Sequence, residues 1–108
     1  MARQATLGEF EQLIMLAILR LGEDAYGVSI RREIVTRTGR SVARGAVYTT
    51  LDRLQGKGLL SSQTGAEEEG RSHRRYYDVT GGGIGALQAG AATVRALWDG
   101  LETILGQR

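Results

Sequence analysis

Ile84, Leu87, Ala91, Val94, Trp98, Leu101 and Leu105 recur at alternating spacings of three and four, the seam of a helix that packs along its length against another apolar surface. Leu97 and Ile104 broaden it. The same stretch holds Gly81, Gly82, Gly83, Gly85, Gly90, Gly100 and Gly106, and each interior glycine costs a helix about 1 kcal/mol relative to alanine. Such a segment requires a packing partner. In a chain of 108 residues, too short for a second independent core, the available surfaces are its own first helix and a second copy of the chain.

The rest of the chain divides into three helical runs and two strands. Leu7, Phe10, Ile14, Ala17, Ile18 and Leu21 form one helical stripe closed by Gly22, widened by Met15, Leu16 and Leu19. A helix this apolar is expected at the centre of the domain or against a partner subunit. Asp24 is the expected N-cap of a second helix carrying Tyr26, Ile30 and Ile34, with Gly39 as its stop. A third helix, following a short link, has Val47, Leu51 and Leu54 on its apolar side and ends near Gly56. Residues 59–64 and 74–79 read as strands around a polar loop. That hairpin needs Leu59, Leu60, Tyr76 or Tyr77, and Val79 on the helices to persist. Thr80 is the expected cap of the last helix. The fold class is mostly α with a two-stranded wing. It reads as a winged helix-turn-helix over residues 1–80 followed by a C-terminal helix over 81–108, one compact domain overall.

Charge is distributed unevenly. Arg31, Arg32, Arg37, Arg40, Arg44, Arg53 and Lys57 face only Glu33 and Asp52 in the middle of the chain, whereas the first 24 residues lean acidic. A basic third helix before a hairpin is the pattern of a helix that enters a DNA major groove. The absence of cysteine removes disulfide frameworks, thiolate metal sites and cysteine nucleophiles, and a single histidine removes His-rich metal sites. No catalytic constellation is present. No enzyme activity, metal or cofactor is expected. No apolar run approaches the roughly 18 residues that span a bilayer, and the opening residues lack the core of a secretory signal, so a cytoplasmic, membrane-independent protein is expected.

The segment Gly45-Ala46-Val47-Tyr48-Thr49-Thr50-Leu51-Asp52-Arg53-Leu54-Gln55-Gly56-Lys57-Gly58-Leu59 resembles the recognition-helix signature of PadR-type transcriptional regulators, G-x-L/V-Y-x-x-L-x-R-L-x-x-x-G-L. Tyr26-Gly27-Val28-Ser29-Ile30 is similar to the family's Y-G-x-x-I block. The stretch from Arg74-Arg75-Tyr76-Tyr77 through Thr80 to Leu87 is similar to its wing-to-helix block. The resemblance implies a homodimeric regulator, usually a repressor, that binds double-stranded operator DNA and dimerises through its C-terminal helix, with Ile84, Leu87, Ala91, Val94, Trp98, Leu101 and Leu105 at the interface. Some relatives bind flat drugs between aromatic residues at the dimer centre. A small-molecule effector of unspecified identity is therefore allowed, although Trp98 reads first as interface packing.

The expected DNA contacts are Arg44, Gly45, Tyr48, Thr49 and Arg53 on the third helix and Arg71, His73, Arg74 and Arg75 on the wing, with Arg44 as a candidate guanine reader. Three features depart from the family pattern. Ala43 stands where a capping Ser or Thr is common, leaving Ser41 or a weak cap. Thr49 stands where Pro is frequent, and Glu67-Glu68-Glu69 places negative charge near the wing tip. Gly81-Gly82-Gly83-Ile84-Gly85-Ala86 fits a dinucleotide-binding turn, with Asp99 and Glu102 at about the right distance, but no parallel strand follows to complete that unit. The rival reading is a winged-helix protein-interaction module without specific DNA binding.

Overall fold

The computed structural model describes residues 6–65 and 73–106. Helix α1 (Glu9–Leu21) starts at Gly8, whose N–H donates to Glu11 Oε1 at 2.9 Å, and stops at Gly22 with φ of 60°. Ile14, Met15, Ala17 and Ile18 bury one broad side of α1 as the centre of the core. Leu16 and Leu19, which extend the sequence stripe, point outward.

The second helix begins later than its sequence indicates. Asp24 is not the cap: it lies in a 3-10 turn, Gly22–Asp24, and α2 (Gly27–Thr38) takes Tyr26 as N-cap. The cause is tertiary. Ala25 accepts the Tyr77 N–H at 2.9 Å, and Tyr26 forms an antiparallel bridge with Tyr76, which holds the backbone extended for two more residues. Ser29 then closes the helix start, accepting the Tyr26 N–H at 3.0 Å and donating to the Asp24 carbonyl.

Helix α3 (Arg44–Gly56) starts from Ala43 with no side-chain cap, so Ser41 does not take that role. Its entry is fixed instead by buried Val42, whose carbonyl accepts Arg31 Nε at 2.6 Å. Val47, Thr50, Leu51 and Leu54 pack inward.

Strands β1 (Leu60–Thr64) and β2 (Arg75–Val79) pair antiparallel, with Leu60 opposite Val79 and Ser62 opposite Tyr77. Alternation along the strand puts Tyr77 in the core and Tyr76 on the other face, 5.4 Å from the Tyr26 ring centre. The hairpin is therefore held both by burial of Leu59, Leu60 and Tyr77 on the helices and by its edge pairing with residues 25–26.

Helix α4 (Gly81–Trp98) starts at Thr80 as expected: Thr80 Oγ1 accepts the Gly83 N–H at 3.0 Å and donates to the Gly58 carbonyl at 2.8 Å. Gly83 accounts for part of the glycine-rich turn. A Cβ there would lie 2.3 Å from the Leu59 carbonyl oxygen and 2.7 Å from Val79 Cγ1, so the glycine permits close contact between helix and hairpin. The heptad seam, continuous in the sequence, is interrupted in the fold. Asp99 leaves the helix with ψ of 127°, Gly100 adopts φ of 86°, and a single turn, α5 (Glu102–Leu105), follows. Gly100 occupies a left-handed conformation that side chains disfavour, so Leu101 and Leu105 lie beyond a bend rather than on the α4 stripe.

Candidate nucleic-acid interface

Helix α3 presents Arg44, Gly45, Tyr48, Thr49, Asp52 and Arg53 to solvent. At about 100° per residue, Tyr48 stands roughly 40° and Thr49 roughly 140° around the helix from Arg44, whereas Arg53 is roughly 180° away. The exposed arc of α3 thus runs from Arg44 through Tyr48, Gly45 and Thr49 to Arg53, with Arg44 and Arg53 at its opposite edges and Arg53 on the edge next to α1. There Arg53 Nε and Lys57 Nζ both donate to Glu11 Oε2, each at 3.1 Å.

The other basic residues of the middle segment are unequally available. Arg31 is bound to the Val42 carbonyl, Arg37 pairs with Glu33, and Arg40 makes two 3.0 Å bonds to the Glu9 carboxylate. The Arg40 hydrogen bonds and charge hold the Glu9 carboxyl below its ordinary value. Among the described residues only Arg32 and Arg44 of this segment make no side-chain hydrogen bond or ion pair. Within this middle segment, among the described residues, Arg32 and Arg44 are thus the guanidinium groups left unengaged.

Arg32 lines a groove of about 590 Å³ together with Tyr26, Gly27, Val28, Tyr48, His73, Arg74, Arg75 and Tyr77. The groove brings the start of α2, the middle of α3 and the base of the wing together. Tyr48 leans directly onto Gly27: a Cβ on Gly27 would lie 2.3 Å from Tyr48 Oη. Two sequence blocks more than twenty residues apart thereby make one surface. Arg74 is half-buried, with its guanidinium 4.4 Å above the Tyr26 ring and a 3.3 Å bond to Tyr76 Oη. This stacking fixes the base of the wing. Arg75 is exposed and donates to Ser62 Oγ at 3.0 Å, and His73 is exposed in the turn before β2. Arg71 and Glu67-Glu68-Glu69 lie outside the described residues. Sequence reasoning missed Arg32 and Val28 because helical spacing alone did not show which α2 side chains border the wing. The adjacent Tyr26-Gly27 block was the available signal.

A second surface is apolar. Leu87 is buried in the chain's own core and Ile84 is half-buried, whereas residues 91–106 are exposed throughout. Leu97 is 78% and Ile104 68% exposed, and Val94, Trp98, Leu101 and Leu105 are also open to solvent. Gln12 of α1, Ala91, Val94, Arg95, Trp98 and Glu102 line a 490 Å³ crevice on this side. Among the described residues there is no cluster of three metal-ligating His, Cys, Asp or Glu side chains, and no helix long and apolar enough to cross a membrane.

Comparison with solved structures identifies the architecture. A PadR family transcription regulator from hypervirulent Clostridium difficile R20291 is 24% identical with a TM-score of 0.73, over 89% of this chain and 98% of that one. A PadR-like transcriptional regulator from Bacillus cereus strain ATCC 14579 is 22% identical with a TM-score of 0.74, over 92% and 93% of the two chains. A PadR family transcriptional regulator from Eggerthella lenta DSM 2243 is 27% identical with a TM-score of 0.66, over 93% and 88%. Comparison with curated proteins gave no match. The family model described as "Transcriptional regulator PadR-like family" matches residues 15–89, from α1 through the wing and into α4. The chain has the winged-helix fold and belongs to the PadR-like family of transcriptional regulators.

Proposed function

We propose that this DNA-binding regulator is a homodimeric repressor that recognises an inverted-repeat operator. Arg44, Gly45, Tyr48 and Thr49 of each α3 face a major groove, with Arg74, Arg75, His73 and Arg71 serving the wing. The carrying observation is the convergence of Tyr48 and the unengaged Arg32 on one groove beside Arg75 and His73, with Arg44 open on the same helix. Gly45 supports the reading, because nothing within 4 Å of its Cβ position in the chain requires a glycine, whereas close approach of a backbone to DNA does. Arg53, the remaining α3 residue expected at DNA, is held at the edge of the helix by its ion pair with Glu11.

The dimer forms through the exposed apolar surface of α4 and α5, with Ala91, Val94, Trp98, Leu101 and Leu105 at its centre and Ile84 and Leu87 where that surface meets the core. Residues 1–80 then form the DNA-binding part and 81–108 the dimerising part. Two-fold symmetry places the α3 helices about one helical turn of DNA apart and sets the operator's inverted repeat. A small-molecule effector would enter at the Trp98 crevice, and a cytoplasmic location fits access to DNA.

The test is selection of bound duplexes from a genomic library, followed by titration of the enriched site at several salt concentrations. An enriched inverted repeat bound by a dimer supports the proposal. Equal, weak binding to all sequences favours the protein-interaction module.

A further inference from the structure

Glu11 is a buried carboxylate with two distinct tasks. Its residue is 7% exposed. Oε1 accepts the Gly8 N–H at 2.9 Å and so closes the start of α1, while Oε2 receives both Arg53 Nε and Lys57 Nζ at 3.1 Å. Arg53 is held further by a 3.4 Å bond to buried Thr50 Oγ1. The acceptor lies on the first turn of α1, and both donors lie at the C-terminal end of α3. The cluster therefore fixes the rotation of α3 about its own axis relative to the core. It also ties two cations to the edge of α3 opposite Arg44.

We infer that Glu11 is a positioning residue for DNA binding, which holds Arg53 and Lys57 out of the phosphate contacts so that α3 engages DNA through Arg44, Tyr48 and Thr49. The inference rests on the DNA-binding reading above and assigns that surface its electrostatic restraint. Glu11 cancels one of the two positive charges and restrains both side chains by its hydrogen bonds; a cation held off the phosphates displaces no counterion from DNA, whereas each cation that meets a phosphate adds about 0.9 to the salt slope of binding. Arg53 and Lys57 side chains are 48% and 39% exposed. They are thus near enough to the surface to reach phosphates once Glu11 ceases to hold them.

Affinity of the full-length chain for its selected operator and for a random-sequence duplex of the same length is measured against salt. Three forms are compared: the parent, Glu11→Gln, and the triple variant Glu11→Gln, Arg53→Gln, Lys57→Gln. Glu11→Gln is expected to steepen the slope by roughly 0.9 to 1.8, to tighten random-duplex binding several-fold at low salt, and to narrow the preference for the operator. The triple variant is expected to return to the parent slope. A steepening lost in the triple variant distinguishes charge restraint from a loss of structure, which would weaken binding without adding phosphate contacts. An unchanged slope in Glu11→Gln, with the parent binding its operator, overturns this inference and leaves the DNA-binding reading intact. Should Glu11→Gln not fold, Arg53→Gln with Lys57→Gln in the parent decides: an unchanged slope supports the inference and a fall of about 1.8 overturns it. A parent that binds no duplex overturns both.

Discussion

The phenol of Tyr48 rests on Gly27, so closely that a β-carbon at Gly27 would come within 2.3 Å of the Tyr48 hydroxyl oxygen. Gly27 is the first residue of α2 and has no positive φ, so alanine fits its backbone, and the three nearest atoms its β-carbon would meet all belong to the Tyr48 phenol. Gly27→Ala is expected to leave stability within about 1 kcal/mol of the parent. It should weaken operator binding by about 1 kcal/mol through the displaced phenol. In a Tyr48→Ala background the same change should have almost no effect on binding. A double-mutant cycle by fluorescence anisotropy measures the coupling, and strict additivity would contradict it.

Gly45 makes the opposite separation. Its Cβ position is open within the chain, so Gly45→Ala should stabilise α3 by about 0.5–1 kcal/mol. If the proposed docking holds, the added methyl group meets DNA and affinity falls. Chemical denaturation and operator titration on one preparation give both quantities, and an alanine variant that binds as the parent does would remove Gly45 from the interface.

Gly83 is a packing glycine. Gly83→Ala places a methyl group against the Leu59 carbonyl and Val79 and should destabilise by about 1–3 kcal/mol. Gly82→Ala, whose nearest neighbour is an ordinary 3.7 Å away, should be neutral or slightly stabilising. The two thermal midpoints should therefore separate by several degrees.

The exposed C-terminal surface predicts an assembly defect. Replacing Trp98 and Leu101 with serine should produce monomers with intact helical content and reduce operator affinity, because each half-site would be bound alone. Light scattering reads the mass, and a persistent dimer would place the interface elsewhere.

Glu11 predicts a pH dependence with a defined sign. Burial raises its pKa, but the Gly8 N–H together with Lys57 and Arg53 outweighs burial and holds it below the ordinary 4.5. A carboxyl depressed in the folded state binds its proton more weakly than in the unfolded chain. Its stabilisation is complete above that ordinary value and is lost as pH falls through the lowered one. Glu11→Gln should therefore be less stable than the parent by about 1–2 kcal/mol near neutrality. The gap should close as pH is lowered below 4.5. Urea unfolding across that range checks it, and a gap that widened in acid would contradict the role.

Helices, hairpin and family were legible from neighbouring residues. Ile14 and Ile18, Val47 and Leu51, and the alternation through Tyr76 and Tyr77 encode helical and strand periodicity within a few positions, and Thr80 names its own helix start. These are properties of consecutive side chains on a regular backbone. Asp24 misled because a distant strand pairs with Ala25 and Tyr26 and delays the helix. The seam misled because apolar spacing is indifferent to the backbone angle that Gly100 adopts. That Arg53 bonds Glu11, forty-two positions earlier, is likewise invisible to local spacing.

Periodicity and caps thus established which elements form and in what order. The folded chain alone chose which arginines remain unengaged, which tyrosine enters the core and where Tyr48 comes to rest. Those outcomes depend on distances between side chains remote along the chain. Ion pairing and van der Waals exclusion act only over a few ångströms, a range set by packing rather than by position in the sequence.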